Sequence, residues 1–245
     1  DHVLALVSHE LRSPLNGIQS WSHVLESHLP PESELARRAL TGIRTGVAQQ
    51  VRLIDGLIDA TQVFSGRPLL ASRRVPLDEP ARRAVAQVST AARERRQRVD
   101  LQVPAPPPMA VGDADRIEQI LVHLLSNAVR YAGPQARITV SAESCAASDE
   151  VLVTVADDGP GLPTDLVEAM FEPFNQARHV TARAEGGLGL GLSLARRLAE
   201  LMGGSLVAGD TTAHGGAARG ATFSLRLPQA RAAPLPGPAA AARPT

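Results

Sequence analysis

The chain has 245 residues, 44% hydrophobic and 20% charged, which is enough for one large or two small domains with real cores and excludes disorder as the main state. Basic and acidic residues balance at 25 each, so the formal net charge is zero and no global field attracts nucleic acid or an anionic membrane. Every basic residue is arginine; without lysine there is no P-loop ammonium and no Schiff-base amine, and two large enzyme classes fall away. The few aromatic residues are scattered rather than interleaved with arginines as a base-stacking surface requires, so the cores must be built from Leu, Val, Ile and Ala. The single cysteine, Cys145, has no internal disulfide partner and no histidines at metal-ligand spacing, which suits a reducing, cytoplasmic setting. No apolar run reaches the roughly 18 to 20 residues of a membrane span, so membrane contact is expected only through segments outside this chain. The sequence opens at Asp1 inside a helical pattern, as expected for part of a longer protein.

From Leu4 to Leu25, heptad spacing links Leu4, Leu11, Ile18 and Leu25, with Val7, Pro14 and Trp21 as the companion set. After Leu29-Pro30-Pro31, a second helical pattern carries Leu40, Ile43, Val47, Val51, Ile54, Leu57, Ile58 and Phe64. Two such helices form a hairpin that leaves an apolar stripe exposed, and pairing of two hairpins into a four-helix bundle would cover it. Gly66 and Pro68 end the pattern, so a first domain is predicted over 1–67 and a second over 68–228. The second domain is predicted to run helix Glu79–Gln97, strand Val99–Val103, a Pro-rich turn, strand Met109–Val111 and helix Asp113–Tyr131. A strand hairpin follows over Arg137–Ala142 and Val151–Ala156, then helix Leu190–Met202 and strands Ser205–Ala208 and Ala221–Leu227. Helices and strands mix without a βαβ repeat, giving an α+β class: a helical hairpin followed by an α/β two-layer sandwich. Residues 229–245, rich in Ala and Pro, read as a tail or linker.

Four constellations carry chemistry. Ser8-His9-Glu10-Leu11-Arg12-Ser13-Pro14-Leu15 puts His9 on the outward face of the first helix. An exposed helical histidine is ordinarily just solvated. Here Glu10 can hold or deprotonate an imidazole, and Pro14 removes the hydrogen bond to the Glu10 carbonyl, so a nucleophilic histidine on a deformable helix is the sharper reading. Asn127, near the end of its helix, offers a hard amide oxygen suited to Mg²⁺, or caps a neighbouring loop. Asp157-Asp158-Gly159-Pro160-Gly161-Leu162 follows a strand directly: a carboxylate there can accept from an exocyclic amine such as that of adenine, and the glycines let backbone approach a flat ligand; a plain turn would use the same residues. Gly186-Gly187-Leu188-Gly189-Leu190-Gly191 opens a helix, where bare N–H groups form a phosphate site or a mobile hinge.

In this order and spacing the four constellations resemble the catalytic core of a sensor histidine kinase over nearly all of residues 1–228. Ser8–Leu15 resembles the phosphoacceptor box, Leu121–Tyr131 the asparagine box, Asp157–Leu162 the first glycine box and Gly187–Gly191 the second. Phe171-Glu172-Pro173-Phe174 resembles the phenylalanine box, and Gly220-Ala221-Thr222-Phe223 the closing glycine-threonine strand.

The resemblance implies a dimerisation and histidine-phosphotransfer hairpin, then an ATP-binding sandwich of the gyrase and heat-shock type. It implies that His9 attacks the γ-phosphate of Mg·ATP, that Glu10 orients its ring, and that a homodimer hands the phosphoryl group to an aspartate of a response-regulator receiver domain. It places Asn127 on Mg²⁺, Arg130 on phosphate charge, Asp157 on adenine, and Tyr131, Gly159, Gly161, Phe174, Gly187, Leu188, Gly189, Leu190, Gly191 and Thr222 around the nucleotide. His123 stands where the family most often has a first asparagine, and imidazole is a poorer ligand than an amide for Mg²⁺. Ser13 keeps the hydroxyl of a pattern associated with dephosphorylating the partner. A nucleotide-binding pseudokinase that works as a dimeric scaffold is the alternative; a gyrase-type ATPase would put an acidic residue near position 123.

Overall fold

The computed structural model describes residues 14–25, 33–64, 70–145, 147–162, 167–175, 189–210 and 220–230. Helix α1 occupies residues 14–25 and α2 spans Glu34–Phe64. The second helix starts earlier than its apolar pattern predicts because Ser33 caps it, its Oγ accepting from the Ala36 amide at 3.0 Å. The two helices meet at small residues. Ala39 is fully buried, the Trp21 indole fills the space beside Gly42, and a Cβ on Gly46 would stand 2.8 Å from Ile18 Cγ1.

The rest forms strand β1 (Arg73–Pro76), helix α3 (Asp78–Glu94), strands β2 (Arg98–Gln102) and β3 (Met109–Gly112), helix α4 (Ala114–Tyr131), strands β4 (Arg137–Cys145) and β5 (Glu150–Asp157), helix α5 (Gly191–Leu201), and strands β6 (Ser205–Asp210) and β7 (Ala221–Pro228). A 3₁₀ turn lies at Ala169–Phe171. Five strands make one sheet in the order β2-β4-β5-β7-β6. β2 runs parallel to β4, with Val99 opposite Ile138, and the other pairs are antiparallel, with Val140 opposite Val155 and Val153 opposite Leu225. Period-two alternation gives this sheet one apolar face: Val151, Val153, Val155, Phe223, Leu225 and Leu227 are buried between it and the helices. α4 supplies the centre of that core through Ile117, Ile120, Leu121, Leu124 and Leu125, all fully buried. Val63, near the end of α2, joins the same cluster.

Strand β1 is absent from the sequence reading. It buries Val75 but leaves Arg73 and Arg74 exposed, too short an alternation to register as a period. It pairs with β3, Val75 opposite Ala110. The predicted tail also begins too early. Gln229 bridges Ala110, the Ala230 amide donates to the Met109 carbonyl at 2.7 Å, and Ala230 is buried, so pairing with β3 holds two residues that their composition assigns to a linker. The predicted boundary near residues 65–68 lies outside the described residues.

Candidate functional site

α4 is the spine of the site. Asp113 caps it, its Oδ1 accepting from the amides of Asp115 at 3.0 Å and Arg116 at 3.3 Å, while its Oδ2 accepts from Ala71 at 3.0 Å. At the other end, the buried Gln97 donates through Nε2 to the carbonyls of Val129 at 2.9 Å and Gly133 at 2.6 Å. Arg95 adds a bond from Nη1 to the Arg130 carbonyl at 3.3 Å. These side chains satisfy the last carbonyls of the helix and fix the turn that carries Asn127, Arg130 and Tyr131. Asn127 is half-buried, Tyr131 is exposed, and the Arg130 guanidinium lies 5.3 Å from the Tyr131 ring centroid. Sequence patterning does not reveal Gln97, because a polar residue before a strand looks like surface.

Asp157 ends β5 and is buried. Its Oδ1 accepts from the amides of Gly159 at 2.9 Å and Ala221 at 3.2 Å. Burial pushes its carboxyl above the usual range and the neighbouring Asp158 charge adds to this, while the two amide bonds pull the other way. The turn beyond it must be glycine, since a Cβ at Gly159 would stand 2.6 Å from the Ala132 Cα, just past the end of α4. Gly161 takes φ +83°, and the Asp157 carbonyl leaves no room for a Cβ at Gly220. Thr222 lies opposite Ala156 in the β5–β7 ladder, one position from Asp157. Asp157, Gly159, Thr222 and the residues following Tyr131 thus meet at one place.

A second group gathers nearer the middle of α4. His123, one turn before Asn127, packs its ring against Gly191, the first residue of α5. Leu190 is buried, so any contact from it to a ligand runs through its backbone. Gly189, at φ +67°, lies against the backbone of Phe174 and Asn175, where a Cβ would come within 3.3 and 3.2 Å respectively. Phe174 itself holds φ +62°. A shallow groove between α3 and α4, lined by Gln87, Asp115, Glu118, Gln119, Val122 and His123, adjoins this group. His9, Glu10, Ser13, Gly187 and Leu188 lie outside the described residues.

The arrangement can hold a flat, polar heterocycle at the Asp157 end of α4 and an anionic group where bare backbone amides open α5. Residues 112–231 match the family described as histidine kinase-, DNA gyrase B- and HSP90-like ATPase, and residues 1–63 match the His Kinase A (phospho-acceptor) domain. The chain is 32% identical over 243 residues to the sensor histidine kinase GacS of Pseudomonas protegens, a match that covers 96% of this chain and 26% of that protein. It is also similar to full-length ShkA solved in complex with AMPPNP, with 28% identity, a TM-score of 0.67, and coverage of 94% of this chain and 46% of that one. The fold of ThkA, solved in complex with the response regulator protein TrrA, is shared at a TM-score of 0.69 with 22% identity, covering 94% of this chain and 62% of that one. The chain therefore spans about a quarter of the curated relative and roughly half of the ShkA chain. With the phospho-acceptor match on its helical hairpin and the ATPase match on its sheet domain, the chain belongs to the sensor histidine kinases as their catalytic core.

Proposed function

We propose that this chain is an ATP-dependent protein histidine kinase that phosphorylates His9 and passes the phosphoryl group to an aspartate of a response-regulator receiver domain. The observation that carries the reading is the placement along α4 of a buried carboxylate with its glycine turn at one end and the glycine opening of α5 beside His123. ATP spans those two points with its adenine on Asp157 and its phosphates toward Gly187, Gly189 and Gly191. A ring nitrogen of neutral His9 uses its lone pair on the γ-phosphorus. As the N–P bond forms, the bond from γ-phosphorus to the bridging oxygen breaks, ADP leaves, and Glu10 takes the proton from the other ring nitrogen. Arg130 counters phosphate charge.

Asn127 presents an amide oxygen of the kind Mg²⁺ accepts, and His123 stands one turn before it on α4. Among the described residues no three His, Cys, Asp or Glu side chains cluster, and an ion that takes most of its ligands from phosphate and water calls for no such cluster. When bound, Mg²⁺ would neutralise the triphosphate. Ser13 would assist hydrolysis of the partner's phosphoaspartate, a role that equal dephosphorylation rates in a Ser13→Ala variant would remove.

The chain acts as a homodimer in this reading. Leu40, Val47, Val51 and Ile54 form an apolar stripe along α2 with each residue 45–49% exposed, and a second copy of the hairpin would cover it. The division into a phosphotransfer hairpin over 1–67 and a nucleotide-binding domain over 68–228 belongs to the same proposal. The response-regulator partner is supported by the ThkA structure, which contains one. No helix among the described residues is long and apolar enough to cross a membrane.

The test is incubation of the chain and its His9→Gln variant with Mg²⁺ and γ-labelled ATP. Acid-labile, alkali-stable label on the wild type alone is expected. Nucleotide binding without any label would overturn the kinase reading in favour of a nucleotide-binding scaffold.

A further inference from the structure

The turn that carries Phe174 is fastened to the rest of the domain by an arginine of α5. Arg196 donates from Nε to the Leu206 carbonyl on β6 at 3.3 Å and from Nη1 to Glu168 Oε2 at 3.0 Å. Its guanidinium carbon stands 4.0 Å from the centroid of the Phe171 ring. One planar cation thus grips an edge strand, a carboxylate and an aromatic face at once, a combination that lysine cannot reproduce.

Beyond Phe171 the turn closes on itself: Asn175 donates from Nδ2 to the Ala169 carbonyl at 2.7 Å, and from its amide to the Glu172 carbonyl at 3.2 Å. This leaves Phe174 in the left-handed region at φ +62°, a conformation that an aromatic residue keeps only when its surroundings impose it. The Phe174 and Asn175 backbone then abuts Gly189, itself two residues before the Gly191 that touches His123. Contact therefore runs unbroken from Arg196 through Phe171, the closed turn and Gly189 to the backbone that opens α5. The Glu168 arm of the grip adds little to stability. Glu168 is 82% exposed in its side chain, and an ion pair so placed contributes little to folding.

We infer that Arg196 is a positioning residue for nucleotide binding: it holds residues 168–175 against α5 and β6, so that Phe174 and Asn175 fix Gly189 and the phosphate-facing backbone after it. The inference rests on the nucleotide reading proposed above.

The test compares the full wild-type chain with Arg196→Met, Arg196→Lys and, as a control, Arg226→Met, which breaks a similar ion pair to Glu150 on β5. The dissociation constant for AMPPNP, the apparent KM for ATP and the maximal rate of His9 labelling are measured for each. Arg196→Met is expected to raise the dissociation constant and KM about tenfold with the maximal rate within about twofold, Arg196→Lys to recover only part of the loss because an ammonium keeps the charge but not the three contacts at once, and Arg226→Met to leave all three near wild type. Unchanged binding in Arg196→Met, or an equal loss in Arg226→Met, would overturn the inference. If Arg196→Met does not fold, Arg196→Lys and Glu168→Gln decide: a rise in KM of about two- to threefold supports the inference and an unchanged KM overturns it. A wild type that binds no AMPPNP would sink the nucleotide reading and this inference together, whereas wild-type binding with unaltered variants sinks the inference alone.

Discussion

The imidazole of His123 lies against Gly191, so close that a Cβ at position 191 would stand 3.2 Å from its Nδ1 and 3.6 Å from its Cγ. The contact joins the middle of α4 to the first residue of α5, the two elements proposed to hold the metal and the phosphates. A Gly191→Ala change must push the ring by a few tenths of an ångström or move the start of the helix. Weaker AMPPNP binding is expected in Gly191→Ala, and a smaller loss when His123 is also alanine, with a coupling of about 1 kcal/mol in the double-mutant cycle. Additive losses would show that the two residues act independently.

Restoring an amide at position 123 tests the metal side of the same contact. An amide oxygen suits Mg²⁺ better than an imidazole nitrogen does, and Asn127 already offers one a turn later. His123→Asn is therefore expected to lower the Mg²⁺ concentration that gives half-maximal autophosphorylation. An unchanged Mg²⁺ titration would remove position 123 from metal binding.

Asp157 ties pH to both stability and binding. Its carboxyl titrates above the ordinary aspartate range, chiefly because burial disfavours the anion, so between the unfolded and the folded value the native state holds more protons than the unfolded chain. Its contribution to stability is unfavourable at neutral pH and is relieved as pH falls through the raised value toward that of an unfolded aspartate. Adenine binding runs the other way, since the proposed acceptor is the carboxylate, and weakens over the same descent. Asp157→Asn is expected to melt at a higher temperature than wild type near pH 7, to bind ATP about 10- to 100-fold more weakly, and to lose this pH dependence of affinity. Melting curves and ATP titrations across the acid range check all three.

Much of this architecture is legible in the sequence because local signals agree with the fold. Asp113 announces α4, Gly203-Gly204 ends α5, and alternating β-branched residues mark β4 and β5. The strand order is not legible, because nothing local tells β2 to run parallel to β4 or places β7 between β5 and β6. At the site, the glycines stand out by composition but their reasons do not. Gly159 is required by Ala132, and Gly189 by Asn175, neighbours brought together only by folding. Gln97, Arg95 and Arg196 escape a sequence reading for a related cause: each acts on a carbonyl or ring far along the chain, and a polar side chain in a polar stretch gives no sign of it.

In the hairpin, Trp21 and Gly42 set how closely α1 and α2 approach. A Cβ on Gly42 would overlap the indole, and Gly46 faces Ile18 and the Pro14 carbonyl with similarly little room. Gly42→Ala is expected to destabilise the hairpin by about 1–3 kcal/mol through overpacking and to shift Trp21 fluorescence to the red as the ring is displaced. Gly17→Ala is the control, because a Cβ there meets nothing within 4 Å; an equal loss in both would count against the steric explanation.

Gly56 calls for the opposite expectation. It sits inside α2, which runs through it unbroken from Glu34 to Phe64, and a Cβ there meets nothing within 4 Å. Its backbone is helical rather than left-handed, so no conformational demand requires glycine. Alanine lowers the entropy of the unfolded chain and favours the helix by roughly 0.4–1 kcal/mol, so Gly56→Ala is expected to raise the melting temperature of the hairpin. If a locally soft helix serves the proposed activities, the same change slows autophosphorylation or the proposed dephosphorylation of a receiver. Autophosphorylation and receiver dephosphorylation rates measured on Gly56→Ala separate the two effects: a higher melting temperature with both rates unaltered would make Gly56 a tolerated weakness and not a working hinge.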